Sequence, residues 1–329
     1  MNTSAEGPPG YDVGDVLELH ILQTNTGILP KSDKDSVKIS QFITNTMATV
    51  VRVNFSTGCA IVKLCDRRFG TQFCECYDEN IPYCDQAKAA YHSFLQRGAM
   101  GPFLEELDDE QSTPDVIPRT ASDIRDEPDG VARFEAALWR SANKHFKTQT
   151  EAYMRMRDHQ GVLIPKLYAV LRVVTVKEDS REDEYLDIHG ILLKPIAACS
   201  RLSTRDINKR GIVLDDSAPR NVVVDQTSHQ VFLVEFAQGF SGDTMFDSWE
   251  EDAEDRDVDA EYCEVARVHN NPAAIRLPMA RRLQQKFGWK LDIVYPESDD
   301  LLPKSKCQTP GQQGCHLTAG SVGVPDTEP

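Results

Sequence analysis

The sequence predicts an α+β chain of two lobes: a small lobe of antiparallel strands with one helical region, then a mostly helical large lobe. Three observations predict this. Apolar runs near the N-terminus are short and separated by turn residues, which is strand patterning. A central stretch repeats apolar residues every four positions, which is helix patterning. Two more apolar runs follow that helix, ahead of a polar loop set between short strands. With 329 residues, 40% of them hydrophobic, the chain can build one large domain or two small lobes.

Residues 1–15 begin Pro/Gly-rich and read as a disordered N-terminus, and the small lobe is placed at residues 16–196. Its first strands are expected at residues 16–22, 47–53 and 59–64. The last two are joined by a hairpin turn, Asn54-Phe55-Ser56-Thr57-Gly58, with Gly58 free to take positive φ. The turn between the first strands is read at residues 42–47, Phe42-Ile43-Thr44-Asn45-Thr46-Met47. Residues 105–130 read as an acidic, Pro-containing connector. Phe134, Leu138, Ala142 and Phe146 then share one helix face, and this helix, or a second one joined to it, runs through Met156 and stops at Gln160-Gly161. Strands are expected again at residues 167–176 and 188–193. The large lobe is placed at residues 197–295 and a disordered tail at residues 296–329.

A net charge of −16 argues against general binding to a nucleic-acid backbone, which needs a positive face. No apolar run is long enough to span a bilayer, and Met1 to Gly10 lacks the basic and apolar parts of a signal peptide. The expected address is intracellular, cytoplasmic or nuclear, with no membrane and no nucleic-acid partner. Nine cysteines without that leader read as reduced thiols, and Cys74-Glu75-Cys76 lacks the C-x-x-C spacing of a structural zinc site.

The chemistry concentrates in Asp215-Asp216-Ser217-Ala218-Pro219-Arg220-Asn221, followed by the apolar run Val231-Phe232-Leu233-Val234 and then Glu235. An Asp, an Asn five places on and an acid after the next strand is the order a phosphoryl transferase uses for its base and its metal ligands. Asn221 and Glu235 stand 14 residues apart, room for one hairpin turning near residues 225–228. Upstream, Lys63 sits between apolar neighbours in a strand that follows a hairpin, the placement of a phosphate-contacting kinase lysine. Glu151, on the helix before two more strands, is the candidate partner for Lys63. No G-x-x-x-x-G-K-[ST] string occurs, so Lys63 belongs to no Walker A loop.

Together, the run from Ala60 to Phe69 around Lys63, the helix of Glu151-Ala152-Tyr153 ending in Gln160-Gly161-Val162-Leu163-Ile164-Pro165, the Pro219-Arg220-Asn221 loop and Glu235-Phe236-Ala237-Gln238 resemble the fungal protein-kinase-like proteins. These are related in fold to protein kinases and to aminoglycoside and choline phosphotransferases. The likeness extends over about residues 16–295, taking in Asn271-Pro272 and Phe287-Gly288-Trp289-Lys290-Leu291. It implies a two-lobed protein-kinase-like fold that binds ATP and Mg2+. Lys63 would contact the nucleotide phosphates and Glu151 would fix Lys63. Asp216 would be the base, and Asn221 and Glu235 would hold magnesium. Leu193-Lys194-Pro195 would form the hinge beside adenine. With no Gly-rich loop in view, the hydroxyls of Thr44 and Thr46 and backbone amides would face the phosphates.

Three departures bear on activity. Leu214 stands where the family has a His that braces the catalytic loop, and Glu235 stands where it has Asp. Only residues 199–210 are available for the long buried helix before the loop. At 1.5 Å per residue they span about 18 Å, so the large lobe reads as truncated there. The implied function is an ATP/Mg-dependent phosphotransferase acting on a protein Ser/Thr or a small-molecule hydroxyl. The alternative is a pseudokinase, a non-catalytic interaction protein. The acidic run at residues 249–261 reads as a solvated segment.

Overall fold

The computed structural model describes residues 8–24, 34–55, 58–69, 75–76, 79–113, 116–173, 183–195, 207–208, 210–224, 231–242, 258–269 and 271–288. The N-terminal part is a closed six-stranded antiparallel barrel built from β1 (Val16–Thr24), β2 (Lys34–Asn45), β3 (Thr49–Phe55), β4 (Gly58–Leu64), β8 (Ile188–Leu193) and β7 (Leu167–Val173), in that order around the barrel. A two-stranded ribbon, β5 (Glu75–Cys76) and β6 (Glu79–Asn80), follows β4. Alternation sorts the side chains: Ala60, Val62 and Leu64 of β4 join Leu19, Ile39, Val51, Leu171 and Leu192 inside the barrel. The odd-numbered Ile61 and Lys63 therefore face outward from the same strand. Closure leaves no exposed sheet edge, the usual liability of an antiparallel sheet.

Gly190 sets how closely β8 approaches the strand of Lys63. It pairs with Leu64, and a Cβ there would stand 2.5 Å from the Lys63 carbonyl oxygen. Only glycine fits at that contact.

Among the described residues, four α-helices separate β4 from β7: α1 (Asp85–Gln96), α2 (Met100–Ser112), α3 (Ala121–Arg125) and α4 (Gly130–Arg155). Helix α4 is a single helix of 26 residues, and Phe134, Leu138 and Ala142 are buried along it as the four-residue step requires. About half of the expected connector at residues 105–130 is helical. Met100, Phe103 and Leu107 of α2 bury one stripe while the acidic residues occupy the rest, so charge density masked a short amphipathic helix.

The turn expected at residues 42–47 is also revised. Strand β2 runs to Asn45 and residues 46–48 make the turn. Only Val37 and Ile39 of β2 are fully buried, which is why its strand signal was weak. Residues 8–15, expected within a disordered N-terminus, form turns that seat Tyr11 in the core, where its hydroxyl donates to the buried Asp66 at 2.7 Å.

The C-terminal part holds two small antiparallel pairs, β9 (Ile212–Leu214) with β12 (Gly239–Ser241) and β10 (Val222–Val224) with β11 (Val231–Leu233). Two helices follow, α5 (Val258–His269) and α6 (Asn271–Phe287). Among the described residues of this part, helical residues outnumber those in the short strands. A second core joins it to the barrel: Tyr153 and Met156 from α4 and its end, Ile191 and Leu193 from the outer face of β8, and Leu214, Leu233, Phe236 and Ile275. That junction fixes the outer face of β4 against the 216–235 region.

The segment at residues 196–206, the turn at residues 225–228, the acidic residues 249–257, Cys74, Ser56, Thr57 and residues 289–329 lie outside the described residues. No helix among the described residues is long and apolar enough to cross a membrane.

Candidate active site

A cleft of about 830 Å³ opens between the outer face of the barrel and the loops after β9 and β11. It gathers Thr44, Thr46, Lys63, Leu193, Pro195, Asp216, Asn221 and Glu235, together with Lys194. Its apolar side is built by Ile43, Met47, Ala48, Ile61 and Val223, and its polar side by Lys63 and the carboxylates. The barrel supplies the first wall because odd-numbered residues of β4 and even-numbered residues of β3, such as Val50 and Arg52, point away from the barrel interior.

Lys63 and Glu235 form an ion pair at 2.7 Å, with side chains only 6% and 14% exposed. Glu235 Oε1 also accepts the Ala237 amide at 2.9 Å. Burial pushes the Glu235 carboxyl up, but the adjacent Lys63 ammonium and the Ala237 N–H more than offset it and hold it below the usual range.

Glu151, the expected partner of Lys63, is not brought to it. Its carboxylate accepts from Arg155 one turn on, at 2.6 Å, and from Ser241 Oγ at 3.1 Å. The reason is helical phase. The buried stripe of α4 and the turn after it runs Leu138, Ala142, Gln149, Ala152 and Met156, and Glu151 lies off it. The α4 side chain within electrostatic reach of Lys63 and Glu235 is His145, which falls three residues after Ala142 on that stripe. Burial pushes its imidazole down to about 4, opposed by Glu235 and assisted by Lys144 and Lys63. A polar residue in register with a buried stripe was the available signal.

Asp216 and Asn221 are held by local geometry. Asn221, buried, donates its Nδ2 to the Asp216 carbonyl at 2.8 Å and to Asp216 Oδ2 at 3.0 Å. Arg220 donates to Asp216 Oδ1 at 2.6 Å. The Val234 amide donates to the Asn221 carbonyl at 3.0 Å, tying the loop to the segment that carries Glu235.

Behind this loop lies a residue whose role sequence reasoning missed. The Asp215 amide donates to Gln238 O and the Gly242 amide to Gly211 O, so odd-numbered residues of the β9 region bond to the β12 side. The backbone groups of Ile212 and Leu214 therefore face the other way. Asn271, at the start of α6 and 1% exposed, meets them as a neighbouring strand would: its Oδ1 accepts the Leu214 N–H at 3.0 Å and its Nδ2 donates to the Leu214 carbonyl at 2.6 Å. Nδ2 also donates to Ser217 Oγ. Asn208 donates to Ile212 O at 3.3 Å and to Asn271 Oδ1 at 3.1 Å. Two asparagine amides thus cap the open edge of β9. The bracing that Leu214 cannot supply through its own side chain reaches its backbone from Asn271.

No protein-family model, curated protein or solved structure matches the chain.

Among the described residues no group of three or more His, Cys, Asp or Glu could hold a metal ion. Magnesium differs from such cages in taking one or two protein carboxylates with phosphate and water oxygens. Asn221 Oδ1, which accepts no hydrogen bond among the described residues, and the Glu235 carboxylate on the same cleft fit that sparse donor set.

Proposed function

We propose that the chain is an ATP- and magnesium-dependent phosphotransferase of protein-kinase-like fold, with a protein Ser/Thr or small-molecule hydroxyl as acceptor. One observation carries the reading: a single cleft collects Lys63, Asp216, Asn221 and Glu235 from segments up to 172 residues apart, beside an apolar wall that a purine would occupy. Lys63, released from Glu235, neutralises phosphate charge, and the hydroxyls of Thr44 and Thr46 face the phosphates. Leu193 and Pro195 border the base. Asn221 and Glu235 would hold Mg2+, which when bound offsets the charge of the β- and γ-phosphates. Asp216 takes the proton of the acceptor hydroxyl as that oxygen bonds to the γ-phosphorus and the bridging oxygen leaves with ADP.

A second reading, a non-catalytic pseudokinase, is favoured by a specific observation. Lys63 and Glu235 are bound to one another, and Asp216 is engaged by Arg220. A site in which these pairs persist with nucleotide present would bind without turnover. Asp216→Asn separates the readings. The phosphotransferase reading expects ATP affinity to be kept and transfer to be lost, and equal transfer by the variant and the parent would remove Asp216 as the base.

A further inference from the structure

A second cavity, of about 130 Å³, is enclosed by the segment after β4, by α1, by α4 and by residues 185–189. It is too small for a nucleotide and is lined mainly by donors. Its two carboxylates are both already engaged: Asp66 accepts from Arg68 and Tyr11, and Asp187 accepts from Arg172 at 2.6 Å. Several donors are left over. Arg68 spends Nε and Nη2 on Asp66, while its Nη1 makes no hydrogen bond among the described residues. Among the described residues Lys88 has no acidic partner and the Asn143 amide makes no hydrogen bond. His189, stacked on Phe146 at 4.9 Å, adds a ring edge.

These donors are open to water rather than sealed from it, so a ligand rich in acceptors takes the place of solvent at them. In a chain of net charge −16, a pocket whose acceptors are spent and whose remaining donors include an ammonium and a guanidinium selects anions. We propose that this cavity binds a small tetrahedral oxyanion of the phosphate class, held by Lys88, Arg68 and Asn143. It shares no lining residue with the cleft, and the proposal does not depend on the nucleotide reading.

The test is thermal melting of the full chain against inorganic phosphate and, in parallel, phosphoserine, each compared with chloride at matched ionic strength. Three proteins are used: the parent, Lys88→Met and Lys63→Met. Lys88 is exposed and forms no ion pair among the described residues, so its replacement leaves the fold intact. The expected result is a rise in melting temperature with phosphate that survives in Lys63→Met and needs at least tenfold more ligand in Lys88→Met. Phosphate alone active identifies the free ion as ligand, and both ligands active identify the phosphomonoester group. No rise beyond chloride, a rise unchanged in Lys88→Met, or one abolished only in Lys63→Met overturns the proposal.

Discussion

Replacing Asn271 by Leu removes the amide while nearly keeping its volume, so the consequence is confined to hydrogen bonding. Leu214 N–H, 2% exposed at the residue level, loses its acceptor, and a buried orphan donor costs about 1–3 kcal/mol. The Leu214 carbonyl keeps the Ser217 hydroxyl at 3.0 Å, so losing the Asn271 N–H there costs only about 1 kcal/mol. The sum is about 2–4 kcal/mol, and at about 2–4 °C per kcal/mol the melting temperature should fall by roughly 4–16 °C. Melting followed by circular dichroism measures this directly. Asn271→Asp should not restore the parent: its carboxylate can accept the Leu214 N–H but, ionised and buried, also faces the Leu214 carbonyl oxygen. Asn271 does not line the cleft, so ATP affinity measured well below both transitions should change little. Transfer should fall on the order of a hundredfold as Asp216 loses its fixed position. A variant that melts within about 1 °C of the parent would refute the clamp on the β9 edge, because an orphaned buried donor cannot be that cheap.

Lys63→Met should strand Glu235 in a half-closed site and cost about 3 kcal/mol, the low end for a broken buried pair, whereas Lys63→Met with Glu235→Leu should cost less than the sum of the single changes. Additive urea midpoints would show that the two side chains do not interact. Glu151→Ala should cost under about 1 kcal/mol and leave nucleotide affinity unchanged, since its main partner is the partly exposed Arg155. A tenfold loss of ATP affinity in that variant would return Glu151 to the role first expected of it. His145 is held neutral in the folded chain, with its imidazole pushed down to about 4 against about 6.5 when unfolded. Its contribution is therefore complete above pH ~6.5 and is lost as pH falls toward 4, with a slope of up to about 1.4 kcal/mol per pH unit. His145→Gln should flatten stability between those limits, and an unchanged slope would place the titration elsewhere.

The barrel was partly legible because alternation in residues 16–22, 47–53 and 59–64 survives in single-sequence pattern, while β2 was hidden by its polar outer face and its two fully buried residues. Barrel closure was not legible, since it depends on β1 pairing with β7 across 150 residues of sequence (Leu19 with Val173 is a separation of 173 − 19 = 154). The cleft residues were legible as spacing: Asp216 to Asn221 to Glu235, and a lysine in a strand, meet as their order suggested. The partner of Lys63 was not, because helical phase decides which α4 side chain faces it and the boundaries of α4 were set only by packing. Asn271 was invisible as a brace for a different reason. Its role arises from an unpaired strand edge that exists only once β9 has folded against β12.

The most direct test of the central claim is calorimetric melting of the full chain with ATP, with and without magnesium, in the parent and in Lys63→Met. Ligand at a hundredfold its dissociation constant stabilises the folded form by about 2.7 kcal/mol, which corresponds to a rise of roughly 5–10 °C. The account predicts a magnesium-dependent rise of that size in the parent, reduced in Lys63→Met. A cooperative transition that ATP and magnesium leave unmoved would contradict it.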